Sequence, residues 1–289
     1  LEIENQIKKY YDKYEVRENI SKFCKSRWIA LHCQKDKLIL RRYFKNSKVP
    51  LNIEGNSIEN ILQENCIGVT RSVYASANLY KKIQSLKDVE EASNIIACTP
   101  TFDVDSSIAN WRKTIEIVKE IISILNKYKV EKSIIVKWSG EGCHVHINEK
   151  AIPFENYKKY HPLDIAYRIV EFISRKVTDE IFQRNLGFGQ VRVENKMDLK
   201  RIFTAPLSLH RKLFTACICI NLNEIDNFDI SWVNPFKYKH HNGWDYFEDN
   251  EASYLVDASI RNITSSYFFK YKRKYPPLDE HIRKYLDQN

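Results

Sequence analysis

An α+β fold, with helices laid over a mixed or antiparallel sheet, is what the 289 residues predict, and three observations carry the prediction. SSIANWRKTIEIVKEIISILNKYKV places apolar residues at 108, 111, 115, 118, 122 and 125, the stripe of a helix that packs on a core. SIIVKW and CHVHI read as strands on either side of SGEG, four residues rich in turn formers, and so form a hairpin. PLDIAYRIVEFISRKVTDEIF is a second amphipathic helix with Pro162 near its start. Strand, helix, hairpin, helix, strand is the order of helices covering one sheet.

Taken in order, residues 3–25 read as one or two helices, and RWIALHC and LILRRYF as two strands joined by the polar turn QKDK. A helix from about residue 57 and a strand over SVYASANLY follow. NIIACTPTFDVD is a strand broken by Pro100. Beyond the hairpin and second helix, GQVRVEN and TACICIN are further short strands. After residue 243 the chain turns aromatic, charged and helical, with Pro276 and Pro277 dividing it, so 1–243 reads as the main domain and 244–289 as a helical extension. The chain opens at Leu1 and not at Met, which reads as a trimmed form of something longer.

Composition narrows the class. Hydrophobic residues at 43%, with 7 Gly and 8 Pro, exclude a mainly disordered or fibrous chain. No run of about 20 apolar residues is present, so no membrane span is expected, and the charged N-terminus lacks the apolar core of a signal peptide. A cytoplasmic location follows as the expectation. Seven cysteines without a C-x-x-C pair argue against a disulfide framework and a zinc ribbon, and read as small buried apolar residues. The formal charge of +9 permits a polyanionic partner, and LILRRYFKNSK, NKMDLKR, LHRK and YFFKYKRKY interleave some of that charge with aromatics.

Three segments carry chemistry. In FDVD, strand alternation puts Asp103 and Asp105 on one face, where two like charges are comfortable only with a cation between them or a proton on one. The bland alternative is two solvated acids at a strand end, with Ser106 or Ser107 capping the next helix. WSGEGCHVHI puts His144 and His146 on one strand face, a pattern that taken alone reads first as structural histidines, with phosphate contact and zinc ligation as the alternatives. RVENKMDLKRIFTAPLSLHRKL offers Glu194 at a strand end, sharing a face with Arg192, followed by Arg201, His210, Arg211 and Lys212 as phosphate-type donors.

FDVD, SGEGCH, and VE with PLSLH, in this order and on these strands, resemble the three motifs of the archaeo-eukaryotic primase superfamily, in a compact archaeal or plasmid-type form. The match spans roughly residues 95–213. The resemblance implies an α/β unit packed on an RRM-like unit, with the acids converging in the cleft between them. By position, Asp103, Asp105 and Glu194 match the catalytic metal ligands, with Asp198 the rival for the third place. Ser139, His144, Arg201 and His210 match nucleotide-binding positions. Glu141 stands where family members often carry Arg, and the zinc-binding insertion of cellular primase subunits is missing.

The implied function is template-dependent nucleotidyl transfer: a DNA primase or polymerase making or extending primers with two Mg²⁺ or Mn²⁺ ions and no zinc. The implied partners are a single-stranded DNA template and NTP or dNTP, with a primase large subunit or a domain outside this sequence as a further candidate, and no membrane. Arg41, Arg42 and the 270–274 region would hold the template by its phosphates. The alternatives are a metal-dependent nuclease or hydrolase, and a silent nucleic-acid-binding subunit.

Overall fold

Pro100 does more than interrupt a strand: it divides NIIACTPTFDVD between two different sheets. The computed structural model describes residues 2–34, 37–184 and 191–270. Their elements are α1 (Glu2–Tyr11), α2 (Tyr14–Cys24), β1 (Arg27–Gln34), β2 (Leu38–Arg41), α3 (Ile58–Glu64), β3 (Val69–Tyr80), α4 (Leu86–Glu90), β4 (Ile95–Cys98) and β5 (Thr101–Asp105). After these come α5 (Trp111–Lys127), β6 (Ile134–Trp138), β7 (Cys143–Ile147), α6 (Pro162–Gln183), β8 (Arg192–Glu194), β9 (Ile202–Thr204), β10 (Ile218–Ile220), α7 (Ser253–Asn262) and α8 (Tyr267–Lys270).

One sheet runs β2-β1-β3-β4, with β9 on the same edge of β3 as β4; the other runs β10-β6-β7-β5-β8, and every pairing is antiparallel. α1, α2 and α3 pack on the first sheet and α5 on the second, while α6 lies against both β4 and β5 and carries α7 and α8 on its far side. Phe102, Val104, Cys143, Val145 and Ile147, on the face of the second sheet away from the first, are fully buried. Each of the larger side chains among them contributes roughly 1.5–3 kcal/mol of burial free energy.

The expected α+β order is present, with differences that have local causes. The helix after the aspartates starts at Trp111, behind a short 3₁₀ turn whose capping position, Ser107, makes no side-chain capping bond. The expected serine cap is therefore not made; the Ser106 hydroxyl instead accepts from Thr114 at 2.7 Å. The reading of all cysteines as small apolar residues is corrected at one pair: Cys33 on β1 and Cys66 just after α3 form a disulfide, and the other five are buried thiols. Trp244, Leu255, Val256 and Tyr267 join the main core, and Phe268 packs at its edge. Tyr271, the 270–274 basic run beyond Lys270, and the region divided by Pro276 and Pro277 lie outside the described residues. No helix among the described residues is long and apolar enough to cross a membrane.

Candidate active site

A single register row crosses the second sheet: Cys219 on β10 faces Lys137 on β6, then His144 on β7, Asp103 on β5 and Glu194 on β8. Alternation puts all five on the face turned toward the first sheet, and Asp105 joins them two residues along β5, opposite Arg192. Exposure rises along the row. Lys137 is fully buried and His144 nearly so, whereas the side chains of Asp103 and Glu194 are 13% and 41% exposed. Polar groups sit here because β5 and β7 present their apolar residues to the helices on the opposite face.

At the open end of the row, the Lys196 ammonium lies among all three acids. Its Nζ is 3.0 Å from Asp103 and 3.0 Å from Glu194, and it donates a short hydrogen bond to Asp105. Burial pulls the Lys196 pKa down, but the bond to Asp105, the charge of Asp103 and the bonds to Glu194 and Asp103 outweigh it and hold the ammonium well above the usual lysine range. The backbone around it is pinned. Asn195 donates to the Tyr167 carbonyl at 3.1 Å and its side-chain oxygen accepts from the Met197 amide at 3.3 Å. Arg201 Nε donates to the Lys196 carbonyl at 2.6 Å.

Among the described residues, no three His, Cys, Asp or Glu side chains already stand at the spacing of metal ligands. The cluster nonetheless fits a divalent ion. An ammonium already takes the cation's place there, three carboxylates around it leave two negative charges unbalanced, and all the donors are the hard oxygens that Mg²⁺ and Mn²⁺ prefer.

The β6–β7 turn borders the cluster. Ser139 closes it, with its amide donating to the Gly142 carbonyl at 2.9 Å and its hydroxyl to the same oxygen at 3.2 Å. Gly140 takes φ +131° and lies so close to the His210 ring that a Cβ there would stand 2.6 Å from it. His210 Nδ1 accepts from the Leu213 amide at 3.1 Å, so the neutral ring carries its proton on Nε2, which points toward Glu141 at 3.9 Å. Burial lowers the His210 pKa, only partly offset by Glu141.

His144 Nε2 stands 3.4 Å from Asp103, while its Nδ1 is buried with no hydrogen-bond partner. Burial first, then the nearby charges of Lys137 and Lys196, press its pKa well below the usual value, so the ring is neutral. A neutral ring donating from Nε2 leaves Nδ1 as a bare acceptor. His146 engages the Thr101 hydroxyl through Nδ1 at 2.7 Å, and Phe203 on β9 meets both histidine rings edge-on. The two histidines therefore serve different neighbours on β5.

Asp198 is paired with Arg201, at 2.9 Å. Arg201 is thereby held between Asp198 and the Lys196 carbonyl, beside the cluster and not in it. Arg42 lies over the Trp28 ring and donates to the Lys200 carbonyl at 3.3 Å. Three contributors escaped the sequence reading: Lys196, Phe203 and the buried Lys137, which donates to the Thr204 carbonyl at 2.5 Å and so ties the second sheet to β9. Strand alternation beyond Glu194 was the one signal for Lys196, two residues on.

No protein-family model and no curated protein matches the sequence. Among solved structures, the polymerase domain of Ligase D from Mycobacterium tuberculosis, in complex with DNA, matches with a TM-score of 0.58, covering 90% of this chain and 89% of that one at 12% identity. The two chains share a fold. The mixed α+β arrangement with antiparallel sheets is thus that of a polymerase domain as well as the one expected from the sequence.

Proposed function

We propose that this chain is a DNA-directed nucleotidyltransferase of the primase-polymerase kind, an α/β unit packed on an RRM-like unit, joining NTP or dNTP to a 3′-hydroxyl on a single-stranded template. The observation that carries the reading is the convergence of Asp103, Asp105 and Glu194 from adjacent strands around one cationic group, bordered by the Ser139–Gly142 turn. The fold shared with a polymerase domain supports it.

Asp103, Asp105 and Glu194 would hold Mg²⁺ or Mn²⁺, which when bound there would lower the pKa of the attacking hydroxyl and stabilise the leaving pyrophosphate. Neutral His144 orients Asp103 without competing for the cation's charge. His210 Nε2–H, and the Ser139 hydroxyl once turned from the Gly142 carbonyl, are the donors beside the turn that would take triphosphate oxygens. Arg201 holds the 196–201 segment in place and lends positive charge to that rim. Together these groups position the phosphates for in-line attack.

The test is incubation of the full chain with primed or unprimed single-stranded DNA, Mg²⁺ or Mn²⁺, and NTPs or dNTPs, followed by sizing of products. Metal-dependent extension is expected, lost in Asp103→Asn and Glu194→Gln and retained, though reduced, in Asp198→Asn. Absence of product in every combination, or undiminished extension by Asp103→Asn, refutes the proposal. Products on unprimed template mark initiation as well as extension.

A further inference from the structure

We infer that Lys196 is a resident counter-cation: it keeps Asp103, Asp105 and Glu194 assembled while no divalent ion is bound, and swings out of the cluster when one binds. The inference rests on reading the cluster as a divalent-cation site.

Three features point to it. First, one ammonium with three donors meets three carboxylates from two neighbouring strands, which is the number of contacts it is able to make. A lysine merely covering a surface has no need to engage every acid of the site. Second, the charges compete. A divalent ion would draw on the same carboxylate oxygens that the ammonium engages, and two cations held among them would repel each other at short range, so loading the site demands that Lys196 leave.

Third, leaving is mechanically simple. The backbone from 195 to 201 is fixed by Asn195, by Arg201 and by bonds from Asn78 to the carbonyls of Asp198 and Leu199 at 3.2 and 3.1 Å. The Lys196 side chain, by contrast, is 24% exposed, so rotation about its own methylene bonds releases the ammonium with no rearrangement of the strands. Released, it stays tethered at the rim of the cluster. Lys196 is thus a positioning residue that acts through the acids, and it sets the threshold for metal binding.

The experiment compares wild type with Lys196→Met as full chains. Mn²⁺ affinity is measured from the EPR signal of the free ion, and melting is followed in EDTA and in Mn²⁺. The variant is expected to bind Mn²⁺ about tenfold more tightly or better, and to melt earlier than wild type in EDTA, because its three acids then repel each other unshielded. Equal or weaker Mn²⁺ affinity in the variant overturns the inference and leaves the cation site standing. Absence of Mn²⁺ binding in both proteins overturns the site and the inference together. Should the variant not fold, wild type alone gives the answer: acylation of Lys196 by an amine-reactive ester, followed by mass spectrometry, is expected to speed up on adding Mn²⁺, and an unchanged or slower rate overturns the inference.

Discussion

Gly142→Ala is expected to disable the site by moving the strand that carries the aspartates. A Cβ at position 142 would stand 2.3 Å from the Val104 carbonyl oxygen and 3.3 Å from the Ser106 amide, all backbone atoms. Ordinary contact begins near 3.4 Å, so the β6–β7 turn and β5 must separate by about 1 Å. Overpacking of this kind costs roughly 1–3 kcal/mol, of which roughly 0.4–1 kcal/mol returns through the stiffer unfolded chain. For a chain of this size the net loss lowers Tm by a few degrees, at about 2–4 °C per kcal/mol. Activity falls much further. Val104 lies between Asp103 and Asp105, and a 1 Å misplacement of reacting groups costs on the order of a hundredfold in rate. Melting and primer extension at saturating nucleotide and Mn²⁺ measure the two effects. Gly55→Ala is the control: nothing lies within 4 Å of its added Cβ, and its φ of +77° makes it lose stability, about 1–2 kcal/mol, without loss of extension. Extension by Gly142→Ala within about threefold of wild type would falsify the coupling of the turn to the aspartates through the Val104 carbonyl.

Three other outcomes follow from the same structure. Arg27→Met strands Glu149, a carboxylate side chain 13% exposed and bonded to Arg27 at 3.0 Å and Thr99 at 2.7 Å, so chemical denaturation should show a loss of about 3–5 kcal/mol, largely recovered in the double variant with Glu149→Gln. The Cys33–Cys66 disulfide closes a 33-residue span, so dithiothreitol should remove about 3–4 kcal/mol from wild type and nothing from Cys33→Ala/Cys66→Ala. Burial lowers the pKa of His32 and His240 from 6.5 to about 4, so between those values the unfolded chain binds more protons. Stability should therefore be complete above pH 6.5 and fall on acidification toward pH 4, by at most about 1.4 kcal/mol per pH unit for each ring; a Tm that is flat across that window counts against the buried neutral histidines.

The elements that sequence patterning reveals are those with a long stripe or a clean alternation. α5 and α6 carry apolar stripes, and the β6–β7 hairpin is bounded by turn residues, so each is legible. β9 is not: three residues, Ile202–Thr204, sit between a basic pair and Pro206 with no alternation to read, yet they bring Phe203 against both histidines. Asp103 and Asp105 announce themselves by sharing a face. Lys196 does not, because alternation beyond Glu194 is its one signal and Lys200 in NKMDLKR stands at the same parity; only the fold turns one toward the acids. Parity hid the disulfide, since an odd number of cysteines says nothing about which two meet across a 33-residue span.

The chain passes directly from one sheet to the other at two places near the acids, and this has a mechanical consequence. The Thr99 amide bonds to Ala77 of the first sheet at 2.9 Å, while the next carbonyl, Pro100, receives Ile147 of the second at 3.0 Å. The return passage runs from Glu194 on β8 to Asp198, whose carbonyl is held by Asn78. These two fixed crossings, together with the Lys137 bond to the Thr204 carbonyl and Phe203 seated on both histidine rings, fasten the two sheets to each other beside the acids. The acids thus stand at a buttressed seam, carried by neighbouring strands of one sheet, and their mutual spacing is set by strand pairing and not by how the sheets meet at their outer edges.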